Sequence, residues 1–465
     1  MSTKPKNKSV GRRDFLKSAA VAGAGLIILP SGVWAGAARG TAPAAEAAGR
    51  GRPNVILCMT DDQGWNDVSY NERGALARGK VKTPNLDAMA AAGLRFDRFY
   101  AAAPVCSPTR GSCLTGRHPY RYGVRSPGQP IKRQEMSIAQ ALQRAGYATA
   151  HFGKWHLNGV SGPGKPIAAT DPLHPGHFGF ETWFSVSNYF ERDWTFSRMG
   201  TPVATQGDGS DVIVAEALQW IDQVRAKDPA RPLFALVWFG SPHVPCKPLA
   251  KDLEAAGGDV RLGEVLGADR AMGTLRAGLR SRGIAENTML WFNSDNGHPG
   301  KNTPLKGGKG GIDEGGVRVP GICEWPARVK PGRTAVPVVT SDFYLTILDA
   351  TGVPLPANQV QPLDGISVLP LLEGKMAERP QPIGFMAGNA VALSDNRYKL
   401  VVSQEKGKGG RESVALYDLV EDLGEQKNLA AEQPAIVTKM RSALDAWKAS
   451  VDRSANGGDY AGPQH

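Results

Sequence analysis

Four runs of consecutive apolar residues constrain this chain more than any other feature. Asn54-Val-Ile-Leu-Cys-Met59 carries no charge and is bounded by Pro53 and by Thr60-Asp61-Asp62. Similar runs recur at Tyr147 to Phe152, Leu233 to Phe239 and Met289 to Phe292. Successive side chains of a strand point to opposite faces, so an unbroken apolar run needs both faces covered. Patterns of helical period lie between the runs, at 84–92, 137–145, 212–225 and 269–281. Strands alternating with helices predict an α/β fold with a large, mostly parallel sheet sandwiched by helices.

Ligands in such folds bind past the carboxyl ends of the strands. Each apolar run here is followed by ionisable or amide residues: Asp61 and Asp62, then Lys154 and His156, then His243, then Asp295 and Asn296. A need for solubility does not predict that clustering, which therefore marks one rim of the sheet as a candidate site. From about Val353 the texture changes. Pro354, Pro356 and Pro362 mark a crossing into short strand-like pieces at 390–394, 398–403 and 414–419, with a final amphipathic helix over 434–450. This predicts a small C-terminal α+β subdomain at 366–465 behind a catalytic domain at 50–365, with Lys406-Gly-Lys-Gly-Gly410 at a hairpin tip.

The first 49 residues read differently. Lys4, Lys6, Lys8, Arg12 and Arg13 precede Asp14-Phe-Leu-Lys17, an apolar run from Ala19 to Leu29 and a small-residue stretch from Ala35 to Ala48. This is the pattern of a twin-arginine signal peptide, so the expected partner is the twin-arginine translocase and the expected location periplasmic or secreted. The run falls short of the roughly 20 apolar residues needed to span a bilayer, so no stable membrane anchor is expected. Residues 1–50 hold eight Lys/Arg and two Asp/Glu, hence six of the eleven net positive charges of the 465-residue chain. The five left over are spread out and make no nucleic-acid footprint, but they suit an anionic substrate.

Asp61-Asp62 and Asp295-Asn296 are hard oxygen donors at two strand ends. One Asp-Asp pair alone is more often a turn or a helix cap. Two pairs at one rim suit Ca²⁺, with Mg²⁺ as the alternative, and no Cys/His set suits zinc. Five cysteines in an exported chain leave at least one outside any disulfide. Cys58 reads as a buried strand residue. Cys106-Ser-Pro-Thr-Arg110 lies at a loop-to-helix junction, with Ser107 as the expected cap, Pro108 in the first turn and the helix ending near Thr115. The free N–H groups of a helix start favour an anion beside position 106.

Cys106-Ser-Pro-Thr-Arg110, followed by Leu114-Thr-Gly-Arg117, resembles the signature of the type I sulfatases of the alkaline phosphatase superfamily. Collinear segments agree: Arg52-Pro-Asn-Val-Ile-Leu57 with Asp61-Asp62, Thr83-Pro-Asn-Leu-Asp87, Gly153-Lys-Trp-His156, Ser241-Pro-His243, Ser294-Asp-Asn-Gly297, and Gly308-Lys309 with Glu314-Gly-Gly-Val-Arg318. Leu416-Tyr-Asp-Leu419 and Glu425-Gln-Lys-Asn-Leu429 resemble the family's C-terminal subdomain.

The resemblance implies that Cys106 is oxidised to formylglycine (3-oxoalanine) by a formylglycine-generating enzyme. The hydrated aldehyde is a geminal diol. One hydroxyl attacks sulfur and the alcohol leaves; deprotonation of the other then expels sulfate and restores the aldehyde, splitting one hard step into two. It further implies that Asp61, Asp62, Asp295, Asn296 and the group at 106 hold the metal, that Arg110 orients them, and that Lys154 and Lys309 clamp the sulfate. His243 is the implied acid for the leaving oxygen and His156 the base for the second step. His118 reads as structural. His298, beside the presumed ligands, is a candidate substrate contact.

Trp183, Phe184, Tyr189, Phe190, Trp194 and Phe196 cluster with Arg192 and Arg198. Such a set suits a sulfated sugar, with Trp194 and Arg192 as contacts, and equally suits a hydrophobic core. The expected substrate is a sulfated poly- or oligosaccharide. Two alternatives remain open at this stage: a formylglycine-dependent phosphodiesterase or phosphonate monoester hydrolase, and a scaffold that binds sulfated glycans without turnover.

Overall fold

The computed structural model describes residues 51–74, 76, 79, 81–300, 302–404 and 410–460. The signal segment expected at 1–49 lies outside them, as does most of the hairpin tip at Lys406–Gly410. In chain order the strands are β1 (Asn54–Thr60), β2 (Leu94–Phe96), β3 (Phe99–Tyr100), β4 (Ala148–Lys154), β5 (Thr182–Val186), β6 (Thr195–Arg198), β7 (Thr201–Ala204), β8 (Leu233–Trp238), β9 (Thr288–Ser294), β10 (Arg318–Val319), β11 (Gly321–Glu324), β12 (Gly332–Thr334), β13 (Val338–Val339), β14 (Ile383–Ala387), β15 (Ala390–Ser394), β16 (Tyr398–Gln404) and β17 (Glu412–Asp418).

Ten of them form one sheet in the order β12-β2-β11-β9-β1-β8-β4-β5-β6-β7. Its centre, β9-β1-β8-β4-β5, is parallel. The flanks are mixed: β11 runs against both β9 and β2, and β6 runs against both β5 and β7. The four apolar runs are therefore the four central strands, as their sequence requires. In β1, Val55, Leu57 and Met59 pack into one core layer and Ile56 and Cys58 into the other. Each fully buried aliphatic side chain contributes about 1.5–3 kcal/mol, so a charge anywhere in this run would be expelled.

The expected helices are present, with shifted ends. Ser137 caps the helix Ile138–Arg144 through a reciprocal capping box with Gln140. The helix expected at 269–281 starts earlier, at Val260, where Asp259 accepts from the amides of Arg261 and Leu262. Gly263 and Gly267 obscure its period in the sequence. Gly263 sits where a Cβ would come within 2.8 Å of Pro248 Cβ, so close packing rather than flexibility accounts for it.

The C-terminal strands form an antiparallel sheet, β14-β15-β16-β17, covered by the helix Pro434–Ala455. Gln404 pairs with Glu412 across the segment expected to hold the hairpin tip. A buried ionic network joins this sheet to the segment after β9. Lys399, fully buried on β16, lies 3.0 Å from both Glu314 Oε1 and Glu425 Oε1, and the amide of Glu314 donates to Glu425 Oε2 at 2.7 Å. No helix among the described residues is long and apolar enough to cross a membrane.

Candidate active site

The site forms where β1, β4, β8 and β9 end. The parallel pairing of β1 with β9 continues to Thr60 opposite Ser294, so Asp61-Asp62 and Asp295-Asn296 leave the sheet side by side. The chain turns sharply there, with Asp62 at φ 63°, a left-handed conformation that Asp tolerates better than most residues. The Asp62 amide donates to Asp295 Oδ1 at 3.1 Å, and Asn296 Nδ2 donates to Asp62 Oδ1 at 2.8 Å. Gly297 completes the turn; a Cβ there would lie 1.8 Å from the Gly315 carbonyl oxygen.

Cys106 opens the helix Cys106–Thr115. The expectation that Ser107 caps this helix is corrected. Val105 occupies the cap position in extended conformation without a side-chain cap, and Ser107 Oγ accepts from the Gly128 amide at 2.8 Å. Ser107 lies two residues past the cap position, too far along to reach back to the helix's own first amides. Cys106 Sγ lies 3.6 Å from Asp61 Oδ1. Burial pushes its thiol far up, against the pull of Lys154, so the encoded side chain is an un-ionised thiol and a weak nucleophile.

Three cations face three carboxylates here. Lys154 Nζ is 2.5 Å from Asp61 Oδ2, and Lys309 Nζ is 2.6 Å from Asp62 Oδ1 and 2.8 Å from Oδ2. Arg110, fully buried, donates through Nε and a terminal nitrogen to Asp295 Oδ2 at 3.1 and 2.7 Å, and stands 3.7 Å from Asp61 Oδ2. Its guanidinium lies over the Trp238 ring at 5.1 Å. Burial raises the Asp61 carboxyl, but Lys154, His243, Arg110 and Lys309 override it and hold the group ionised. Asp295 moves the other way, up to about 7, because burial and the charge of Asp61 outweigh Arg110. Lys309 stays protonated: burial opposes its charge, but the Asp62 and Asp61 carboxylates sustain it.

Both candidate histidines are present. His156 is buried at φ 55°, and its Nδ1 has no hydrogen-bond partner. Burial, then Lys154 and Arg110, hold it well below the usual imidazole range, so it is neutral and able to accept a proton. His243 Nε2 is 3.8 Å from Asp62 Oδ2, its Nδ1 donates to the Val244 carbonyl at 2.5 Å, and its ring stacks on Tyr189 with centroids 4.7 Å apart. Burial lowers its pKa ahead of the opposing pull of Asp61.

The donor set suits a hard cation. Ligand atoms of Asp61, Asp62, Cys106 and His243 lie within 4.8 Å of one another. Asn296 Oδ1 is buried without a partner beside the Asp62 carboxylate that its own amide nitrogen holds. A buried carbonyl oxygen left over among carboxylates fits an oxygen-ligated metal position. Three carboxylates already balance three cations, so a divalent ion would leave the site positive toward an anionic ester.

The remaining expectations divide. His118 is structural: its Nδ1 accepts from the Tyr120 amide and its ring packs edge-on to Trp447. His298 is half-buried, and its Nδ1 accepts from the Gly300 amide at 2.7 Å. The aromatic cluster does not form one binding surface. Trp183, Phe184, Phe190 and Phe196 are buried core residues: Trp183 packs into the core layer on one side of the sheet, and Phe184, Phe190 and Phe196 into the layer on the other. The half-buried Trp194 donates its indole N–H to the Gly164 carbonyl at 3.0 Å, and the exposed Arg192 pairs with Asp193 at 3.5 Å. Of that cluster, only Tyr189 contacts a candidate catalytic side chain. Arg261 had no sequence signal. It donates to the Asp62 carbonyl at 2.9 Å and pairs with Asp67, whose Oδ2 accepts from the Gly64 amide, and so braces the turn after β1 from a helix some 200 residues away in sequence.

The family model described as Sulfatase matches residues 53–353, the stretch that supplies every strand end of the site. This chain belongs to the sulfatase family. It is a type I sulfatase of the alkaline phosphatase superfamily, an enzyme of sulfate ester hydrolysis. The sulfatase is 31% identical over 429 residues to N-acetylgalactosamine-6-sulfatase from Canis lupus familiaris, covering 82% of its own chain and 76% of that protein. It is 28% identical over 470 residues to arylsulfatase A from Homo sapiens, covering 87% and 89%. Among solved structures it resembles Ps i-CgsB in complex with k-i-k-neocarrahexaose, at 25% identity and a TM-score of 0.75, covering 85% of this chain and 92% of that one.

Proposed function

We propose that this sulfatase removes sulfate from a sulfated poly- or oligosaccharide, using a formylglycine made from Cys106 and a Ca²⁺ held by Asp61, Asp62, Asp295, Asn296 and the oxygen at position 106, with Mg²⁺ as the alternative ion. The observation that carries this reading is Cys106 Sγ, 3.6 Å from Asp61 Oδ1, at the centre of three carboxylates and three cations. A hydrated formylglycine would supply an oxygen nucleophile with a second hydroxyl for expelling sulfate, and the cation would lower that nucleophile's pKa and offset charge on the sulfate oxygens.

The chain's own residues divide the remaining work. Lys154 and Lys309 provide permanent positive charge for the sulfuryl oxygens, in a pocket where low dielectric strengthens it. Arg110 fixes Asp295 through two parallel donors and cannot lose its proton. His243, part-exposed at the site, would protonate the leaving alcohol oxygen, and neutral His156 would take the proton in the second step.

The saccharide reading draws support from relatives named N-acetylgalactosamine-6-sulfatase and from a structural neighbour solved in complex with k-i-k-neocarrahexaose. Of the expected substrate contacts, His298 remains the candidate best placed by sequence, beside Asn296-Gly297. The N-terminal segment supports export to the periplasm or beyond, with the formylglycine-generating enzyme acting before the twin-arginine translocase because that route carries folded chains. Residues 50–365 would then be the catalytic domain and 366–465 the C-terminal subdomain.

A screen of positionally defined sulfated saccharides beside an aryl sulfate and an aryl phosphodiester tests this reading. The saccharides should give the highest kcat/KM; a dominant phosphodiester activity, or binding without turnover, would overturn it.

A further inference from the structure

A second cationic cavity lies apart from the Cys106 site. It has a volume of about 320 Å³, and five guanidinium groups line it, from Arg73, Arg95, Arg98, Arg318 and Arg333. Two carboxylates, Glu72 and Asp97, share its wall. Arg333 pairs with Asp97 at 2.6 Å and Arg318 with Glu314 at 3.3 Å, which leaves Arg73, Arg95 and Arg98 without a carboxylate at hydrogen-bond distance among the described residues. Arg98 spends its donors on uncharged oxygens: the Asn396 and Asp395 carbonyls at 2.5 and 2.8 Å, Ser394 Oγ at 3.2 Å and Tyr100 OH at 3.1 Å. Arg95 donates to the Tyr70 carbonyl at 2.7 Å, its nearest carboxylates are 3.6 and 3.9 Å away, and its buried Nε has no hydrogen-bond partner. Arg73 has no carboxylate partner among the described residues. Trp65, 5% exposed, carries an indole N–H without a partner, and its ring lies 5.3 Å from the Arg318 guanidinium.

Topology places this cavity on the catalytic rim. β2 runs against β11, and β11 against β9, so β2 is parallel to β9 and β1 and its end faces the same edge. Asp97 and Arg98 follow β2 as Asp61 follows β1. Three strand spacings separate β1 from β2 in the sheet, about 14 Å at roughly 4.8 Å each. One sulfate group cannot reach both places.

We infer that this cavity is an oxyanion subsite, taking a sulfate group carried by a second sugar of the substrate or, failing that, free sulfate. Guanidinium forks match the paired oxygens of sulfate, and unpartnered donors in a low-dielectric pocket gain most from an acceptor that brings charge. The volume lies at the lower end of the small-ligand range, suiting a sulfated sugar unit rather than a polymer. The saccharide source rests on the function proposed above; the sulfate-binding property does not.

The test compares wild type with Arg73→Ser/Arg333→Ser, two exposed positions whose replacement leaves the core intact, and with Arg73→Lys/Arg333→Lys. Two quantities are read: the ratio of kcat/KM for a multiply sulfated hexasaccharide to that for a monosulfated disaccharide, and sulfate bound per chain by equilibrium dialysis at matched ionic strength. The serine variant should lower the ratio about tenfold, with the lysine variant in between, and should bind one sulfate fewer. An unchanged ratio with one sulfate lost assigns the subsite to the free ion. Both quantities unchanged would overturn the proposal. If no saccharide is hydrolysed at all, the dialysis count still decides it, so a failure of the substrate reading is told apart from a failure of the subsite.

Discussion

Replacing Arg110 by Met keeps the length of the side chain and removes its charge and donors. Arg110 and Asp295 are both fully buried, and the arginine supplies two of the three hydrogen bonds on that carboxylate; the third is the Asp62 amide. Removing one partner of a buried pair costs about 3–5 kcal/mol, chiefly because the other charge is left uncompensated. At a pH well above 7, where Asp295 is ionised, Arg110→Met should therefore lose about that much stability in metal-free protein, and Asp295→Asn should recover a large part of it. The expected coupling in the double-mutant cycle is about 2 kcal/mol or more. Urea midpoints read by tryptophan fluorescence at constant m measure it. Saturating Ca²⁺ should shrink the single-variant loss, since the cation would stand in as counter-charge to Asp295. A loss below about 1 kcal/mol, or strict additivity with Asp295→Asn, would refute the claim that Arg110 neutralises Asp295.

Three further outcomes follow from the same structure. Burial depresses His118 to about 4 from 6.5, so the unfolded chain binds more protons than the fold between those values; stability is complete above about pH 6.5 and falls by about 3 kcal/mol as pH drops toward 4. His118→Asn, which keeps an acceptor for the Tyr120 amide, should flatten the Tm of the protein across that window relative to wild type. Ca²⁺ at a hundred times its Kd should stabilise the wild type by about 2.7 kcal/mol in thermal unfolding, and Asp62→Asn should abolish most of that gain. Gly297→Ala should cost about 3 kcal/mol or more in unfolding assays, since both atoms brought to 1.8 Å are backbone-fixed.

The parallel centre of the fold was legible because both faces of β1, β4, β8 and β9 are buried, which leaves an unbroken apolar run in the sequence. The site followed from it: what comes directly after a central strand must emerge on the rim, so Asp61, Asp62, Lys154, His156, His243, Asp295 and Asn296 could be grouped without coordinates. The antiparallel flanks were not legible, because β2, β6, β7, β11 and β12 are two to four residues shorter than the central strands and carry no clear period. The helix at Val260–Ser281 hid behind glycines that serve packing. Arg261 was invisible because its partners, Asp62 and Asp67, meet it only through the fold. The aromatic cluster after Glu181 was ambiguous for a physical reason: burial and sugar stacking select the same residue types, and only the fold, which buries Trp183, Phe184, Phe190 and Phe196 and stacks Tyr189 on His243, tells them apart.

The central claim concerns the chemical state of residue 106. Mass analysis of the peptide spanning Cys106–Arg110, taken from active enzyme whose turnover on a sulfate ester has been titrated, tests it directly. The account predicts a residue that has lost the elements of H₂S and gained one oxygen, in a fraction that tracks active-site concentration. A fully active preparation in which position 106 is an unmodified cysteine would contradict it.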